Sequence, residues 1–204
     1  MPATSSDRRS GRSVKRTKID ESVPKIHHSA RCELDTRADT ICAGDNFRLM
    51  TSTGQLCDVS GFHSDFDSIK DIPVGTVATA YRAESGTVYV LIIHEALFFG
   101  MSMDHSLINP NQIRHNGTPV CDNPFDNNNV LGIDHPDVFI PFVTQGAAIF
   151  FESYVPSDED LIECPRIELT SNTEWNPKTV SMARNQPGGG RDNTHKRHAE
   201  EIQR

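Results

Sequence analysis

The sequence predicts a mainly β protein: a β-rich first domain over residues 31–118 that closes in a short helix, then a β-rich extension over 137–180. Three observations carry this expectation. Apolar and β-branched residues gather in short runs, above all 74–81 and 87–93, with Glu84-Ser85-Gly86 able to turn between them. Gly, Pro, Asn and Asp punctuate the runs. The segment from Pro110 to His115 has Pro where a first helical turn favours it, and Gly117 sits where a helix ends.

Residues 1–30 are rich in Ser, Arg and Lys and poor in apolar side chains, the composition of a disordered basic arm. Order is expected to begin near Arg31. Thr40-Ile41-Cys42-Ala43 is β-prone, and Gly44 stops it. Phe47, Leu49 and Met50 alternate with polar neighbours, Thr53-Gly54 predicts a turn, and residues 55–60 form another short strand. Residues 61–71 read as a loop. The 74–93 hairpin follows, and then Ser106-Leu107-Ile108-Asn109 leads into the helix. Residues 119–136, rich in Asn, Asp and Pro, read as a linker. Residues 138–143 and 147–155 are strand candidates, Ser157 and Asp160 make a capping box, and Ile167-Glu168-Leu169 is one more strand. Pro187 and Gly188-Gly189-Gly190 mark residues 181–204 as a flexible tail.

Charge divides the chain in the same way. Residues 1–31 hold eight Lys and Arg against three Asp and Glu, residues 32–180 hold seven against twenty-two, and residues 181–204 hold five against three. So acidic a core argues against a nucleic-acid groove, which needs cations to displace counterions. Apolar content is 36%, short of the usual roughly 45–50%, in keeping with unpacked ends. Five widely spaced cysteines make a poor disulfide framework, and neither a signal peptide nor a membrane span is expected. A cytoplasmic location fits this composition. Lys15-Arg16-Thr17-Lys18, with Arg8, Arg9 and Arg12 upstream, has the make-up of a nuclear import signal or of a plain solvated tail.

The chemistry centres on Glu33-Leu34-Asp35-Thr36-Arg37-Ala38-Asp39-Thr40. Asp35 ends a β-prone segment, Thr36 carries a hydroxyl able to buttress a neighbouring loop, and Ala38 is small enough to pack beneath a site. Two carboxylates sharing one proton can activate water, because like charges a few ångströms apart cannot both ionise. This run resembles the retropepsin signature. The order of hairpin, Leu107-Ile108-Asn109 and helix is also similar to that family, and residues 107–117 look like a protease-to-integrase junction. With Glu95-Ala96-Leu97-Phe98-Phe99-Gly100, Asp122-Asn123-Pro124-Phe125-Asp126, Pro165-Arg166-Ile167-Glu168-Leu169 and Trp175-Asn176-Pro177, the pattern over 31–180 resembles a fragment of a copia-type retrotransposon polyprotein. The resemblance implies a small acid-protease barrel, with the 74–93 hairpin in the flap or post-flap place. It implies a retropepsin-like aspartic endopeptidase working as a symmetric homodimer on polypeptide. Asp35 and Thr36 would be catalytic, Arg37 and Ala38 would bind substrate, and no cofactor, metal or membrane would be needed. Two departures stand out. Arg37 replaces a Gly that lets substrate approach closely, and an ion pair from Arg37 to Asp35 would oppose the shared proton. Asn109 replaces another Gly, with Asn tolerating left-handed backbone. The competing expectation is a truncated, inactive remnant that keeps the fold as a binding or structural module.

No Cys-x2-Cys pair and no His-x3–5-His spacing point to zinc. His94, His105, His115 and His135 are expected at the surface or in loops, and a Cys57–His63 pair lacks an orienting third group.

Overall fold

A computed structural model describes residues 29–61 and 67–180. The basic import-signal run, His63 and the Gly-rich tail lie outside the described residues.

The protein is mainly β, with two short helices among the described residues. β1 (Ser29–Leu34) leads to the Asp35 loop. β2 (Cys42–Ala43) follows, then the long strands β3 (Arg48–Val59), β4 (Ile69–Arg82) and β5 (Val88–Phe98). A 3-10 turn at Gly100–Ser102 precedes β6 (Ser106–Ile108) and helix α1 (Pro110–His115). β7 (Val120–Cys121), β8 (Gly132–His135) and β9 (Val138–Pro141) form a small antiparallel sheet. β10 (Val143–Gln145), β11 (Ala148–Tyr154), α2 (Asp158–Glu163) and β12 (Arg166–Glu168) complete the chain.

The main sheet runs β10-β11-β1-β6-β2-β5-β4-β3, with β12 paired to β5. Tyr154 of β11 also pairs with Ala80 of β4, which closes the path from β11 round to β4 on itself. Inside lie Ile41, Val77, Leu91, Ile93, Ile108, Ile113, Ile133, Ile140, Phe151 and Ile167, all buried in one cluster. A buried polar knot sits where β1, β4 and β11 meet. Asn46 Nδ2 donates to Ser153 Oγ at 2.9 Å, Thr79 Oγ1 donates to the Asn46 carbonyl at 2.8 Å, and Ser106 Oγ donates to Asn46 Oδ1 at 2.5 Å. Each of these buried groups has a partner, so the knot avoids the desolvation cost of an unpaired polar atom.

The local signals at both helices hold. Pro110 occupies the first turn of α1, Gly117 follows its end at φ 90°, and the Ser157–Asp160 capping box opens α2. Several expectations need correction. β1 already pairs Ser29, the first described residue and two before Arg31, with Tyr154 of β11. Thr53-Gly54 is not a turn. β3 runs through it with a register shift between Ser52 and Leu56, and Gly54 takes up the irregularity at φ 81°. Residues 69–71 belong to β4 rather than to a loop.

The expected linker over 119–136 carries β7 and β8, with Val120 and Ile133 in the core cluster. Its Asn and Asp residues crowd into the connection between those strands, where side chains such as Asn123 and Asp126 accept from backbone N–H groups two residues on. Nor is 137–180 an appended extension. β11 lies against β1 over five register pairs and β12 against β5 over three, so both are members of the main sheet.

Candidate active site

The Asp35 loop is set by a strand crossing. β1 and β6 run parallel, with Leu34 opposite Ile108, and the Asp35 N–H donates to the Ile108 carbonyl at 3.0 Å. The chain then loops out and returns as β2 on the other side of β6, Cys42 opposite Leu107. Asp35, Thr36, Arg37 and Ala38 therefore project from the end of two adjacent strands.

Helix α1 fixes this loop from below. Asn109 is 4% exposed. Its Oδ1 accepts from the Asn111 N–H at 2.8 Å and its Nδ2 donates to the Ala38 carbonyl at 2.9 Å. One side chain thus caps the helix and ties down the loop. Gln112 extends the tether: Oε1 accepts from the Ile41 N–H at 3.0 Å, and Nε2 donates to the His94 and Glu95 carbonyls at 3.3 and 3.2 Å. Asn109 has φ −78° and ψ 108°, an extended backbone, so tolerance of left-handed geometry is not why Asn stands there. Its amide does work that a Gly could not.

Above the loop lies a cleft of about 1070 Å³. Asp35, Arg37, Ala38 and Asp39 line one side of it. Gln55, Leu56, Cys57 and Val59 of β3 cover another, with Ser60 and Gly61 continuing toward the hairpin end. Val74, Leu97 and Leu107 supply apolar floor, and the segment from Glu174 to Lys178 forms a further wall. Trp175 holds that wall to the site loop: its indole N–H donates to the Asp39 carbonyl at 2.9 Å, and its ring lies 5.5 Å from that of His115.

Asp35 is half-buried, and its Oδ1 accepts from the Arg37 backbone N–H at 2.8 Å. The Arg37 guanidinium is exposed and makes no ion pair with Asp35 among the described residues. Thr36 is exposed, and its hydroxyl has no hydrogen bond within the described part of a single chain. Ala38 is half-buried, held through its carbonyl. Cys42 lies in the same wall. Burial, followed by the charges of Asp39 and Asp35 and by Cys57, pushes its thiol up to about 12, so it stays protonated.

The hairpin expectation changes in one respect. The 74–93 hairpin is core: Val77, Ala78, Val90, Leu91 and Ile93 are all fully buried. The strand pair that reaches over Asp35 is β3–β4, whose β3 residues are largely exposed. Sequence reasoning split β3 at Gly54 and so missed it.

The structure also places Glu95 and the histidines. Glu95 lines the cleft with φ 55°; the sequence marked it only as the first residue of the Glu95–Gly100 run, with no role of its own. His94 is not a loop residue but a half-buried member of β5, with its ring Nδ1 2.9 Å from Thr76 Oγ1. His135 is likewise in a strand, β8, and half-buried. His105 is exposed beside Asp104.

Comparison of the chain with models of known protein families, with curated proteins and with solved structures returned no match. No helix among the described residues is long and apolar enough to cross a membrane.

Proposed function

We propose that the protein is a retropepsin-like aspartic endopeptidase of the retrotransposon-polyprotein type, completed by a symmetric homodimer in which the two Asp35 carboxylates share a proton and activate water. The carrying observation is the presentation of Asp35 at the end of the parallel β1–β6 pair, open to a peptide-sized cleft, with no ion pair from the Arg37 guanidinium to it among the described residues. An Arg37–Asp35 ion pair would hold the carboxylate ionised and defeat proton sharing. The backbone N–H of Arg37 instead orients Asp35.

The rest of the cleft supports the same reading. The β3–β4 hairpin stands where a cover over an extended substrate belongs, and β3 is an edge strand whose free backbone groups can pair with a peptide. The exposed Thr36 hydroxyl is free to buttress the same loop of a partner chain. Ala38 and Arg37 line the path of the substrate. The path of strands closing through β4 and β11 supports the small acid-protease barrel that this reading requires. Water activation needs no metal or organic cofactor, only two carboxylates of which one is protonated.

A second reading has its own observation. Among the described residues no carboxylate hydrogen-bonds to Asp35, so a chain that does not dimerise holds half a site and serves as a non-catalytic binding module. One experiment separates the two. Purified protein and its Asp35→Ala variant are incubated with a peptide library at mildly acid pH, with sedimentation run on the same samples. The enzyme reading expects dimers and cleavage that the variant lowers to background. Equal cleavage by both proteins rejects it.

A further inference from the structure

We infer that the cleft takes an extended polypeptide carrying a lysine or arginine side chain, and that Glu95 is the residue that selects it. This deepens the proposed function, resting on the same cleft and adding the substrate's charge.

The cleft is both apolar and unbalanced in charge. Its floor of Val74, Leu97 and Leu107 suits aliphatic side chains. Around that floor stand five carboxylates, those of Asp35, Asp39, Asp58, Glu95 and Glu174, against the cations of Arg37 and Lys178. Not all five are available. Asp58 is held by Lys70, with Nζ to Oδ2 at 2.7 Å, and Asp35 accepts the Arg37 N–H. Asp39 and Glu174 are exposed, where water screens them.

Glu95 differs. It is half-buried, and its carboxylate has neither a hydrogen bond nor an ion pair among the described residues. Its backbone is clamped, because Gln112 Nε2 donates to its carbonyl at 3.2 Å. The Glu95 carboxylate is therefore uncommitted, and an incoming cation at the cleft wall competes with no protein partner for it. A pocket with an apolar floor and one unpaired carboxylate in its wall is complementary to the long aliphatic stem and charged head of Lys or Arg. Glu95 would act through binding, not through the reacting atoms.

The test measures binding apart from cleavage. Fluorescein-labelled ten-residue peptides, identical except for Lys, Arg, Gln or Glu at one position among aliphatic residues, are titrated by anisotropy at neutral pH. The Lys and Arg peptides are expected to bind about tenfold more tightly than the Gln peptide, as a charge-assisted contact in a partly dry site provides, and the Glu peptide more weakly still. Glu95→Gln is expected to remove most of that preference while the Gln peptide binds as before. Glu95→Asn, a residue that accepts positive φ, repeats the test should the Gln variant not fold. Equal affinities for all four peptides, or a preference that survives removal of the Glu95 charge, overturns the inference. The two proposals can fail separately. Basic peptides that bind selectively but are never cut retire the endopeptidase, and cleavage indifferent to charge retires the role of Glu95.

Discussion

Asn109 shows how much of the site depends on one amide. Its oxygen caps α1 and its nitrogen holds the Ala38 carbonyl, so helix and Asp35 loop share an anchor. Replacing it by Ala removes both contacts and leaves the half-buried Ala38 carbonyl without a partner. The expected cost is about 2–3 kcal/mol, the sum of a lost cap and an unsatisfied acceptor. Chemical denaturation of Asn109→Ala measures it. A midpoint unchanged from wild type would mean that the loop is held by something else. Arg37 belongs to the same argument. As a residue type it speaks against catalysis, yet its backbone N–H donates to Asp35 while its guanidinium makes no ion pair with it among the described residues.

The β3–β4 hairpin owes its reach to irregularity. β3 is twelve residues long and β4 fourteen, and three register shifts bend the pair. Bulges of this kind raise local twist and re-aim a strand without ending it. Gly75 makes the close approach possible. A Cβ there would collide with the Thr51 carbonyl and come within 2.8 Å of the Leu49 side chain. Gly75→Ala is therefore expected to destabilise the protein by about 1–3 kcal/mol, the range for overpacking. Thermal unfolding checks the stability, and hydrogen exchange should show the loss centred on β3. A neutral substitution would place β3 farther from Gly75 of β4 than described. The Ser157–Asp160 cap of α2 is the opposite kind of element, local and regular, with its three hydrogen bonds made within four residues.

Closure of the sheet makes 29–180 one cooperative unit. β11 pairs with both β1 and β4, and β12 pairs with β5, so the later third of the chain supplies strands to the earlier two-thirds. The core cluster mixes Ile41, Leu91 and Ile108 with Ile133, Ile140, Phe151 and Ile167. A shortened chain of residues 29–118 would leave β1 and β5 each with an open edge and expose half of that cluster. It is expected to show no cooperative melting transition by circular dichroism, whereas 29–180 shows a single one. A folded 29–118 fragment would restore the two-part division that composition predicts. Composition misleads there because Asn and Asp concentrate in the β7–β8 connection, while the apolar residues on either side of it go into the core.

Local chemistry was legible without coordinates. Pro110 and Gly117 bound a helix, Ser157 and Asp160 cap another, and β-branched runs form strands, because each signal acts over a few neighbouring residues. The Asp35 loop was legible as a candidate for the same reason: a carboxylate, a hydroxyl and a small residue in one short run. What remained hidden depends on contacts between distant segments. Gly54 looks like a turn until β4 is seen beside it, and Glu95 looks like any strand carboxylate until Gln112, seventeen residues on, clamps its carbonyl. The bond from the Arg37 N–H to Asp35 and the placing of Trp175 against Asp39 are likewise invisible in a linear pattern. Hydrogen bonds and burial across a closed sheet are set by which strands meet, and only the tertiary structure decides that.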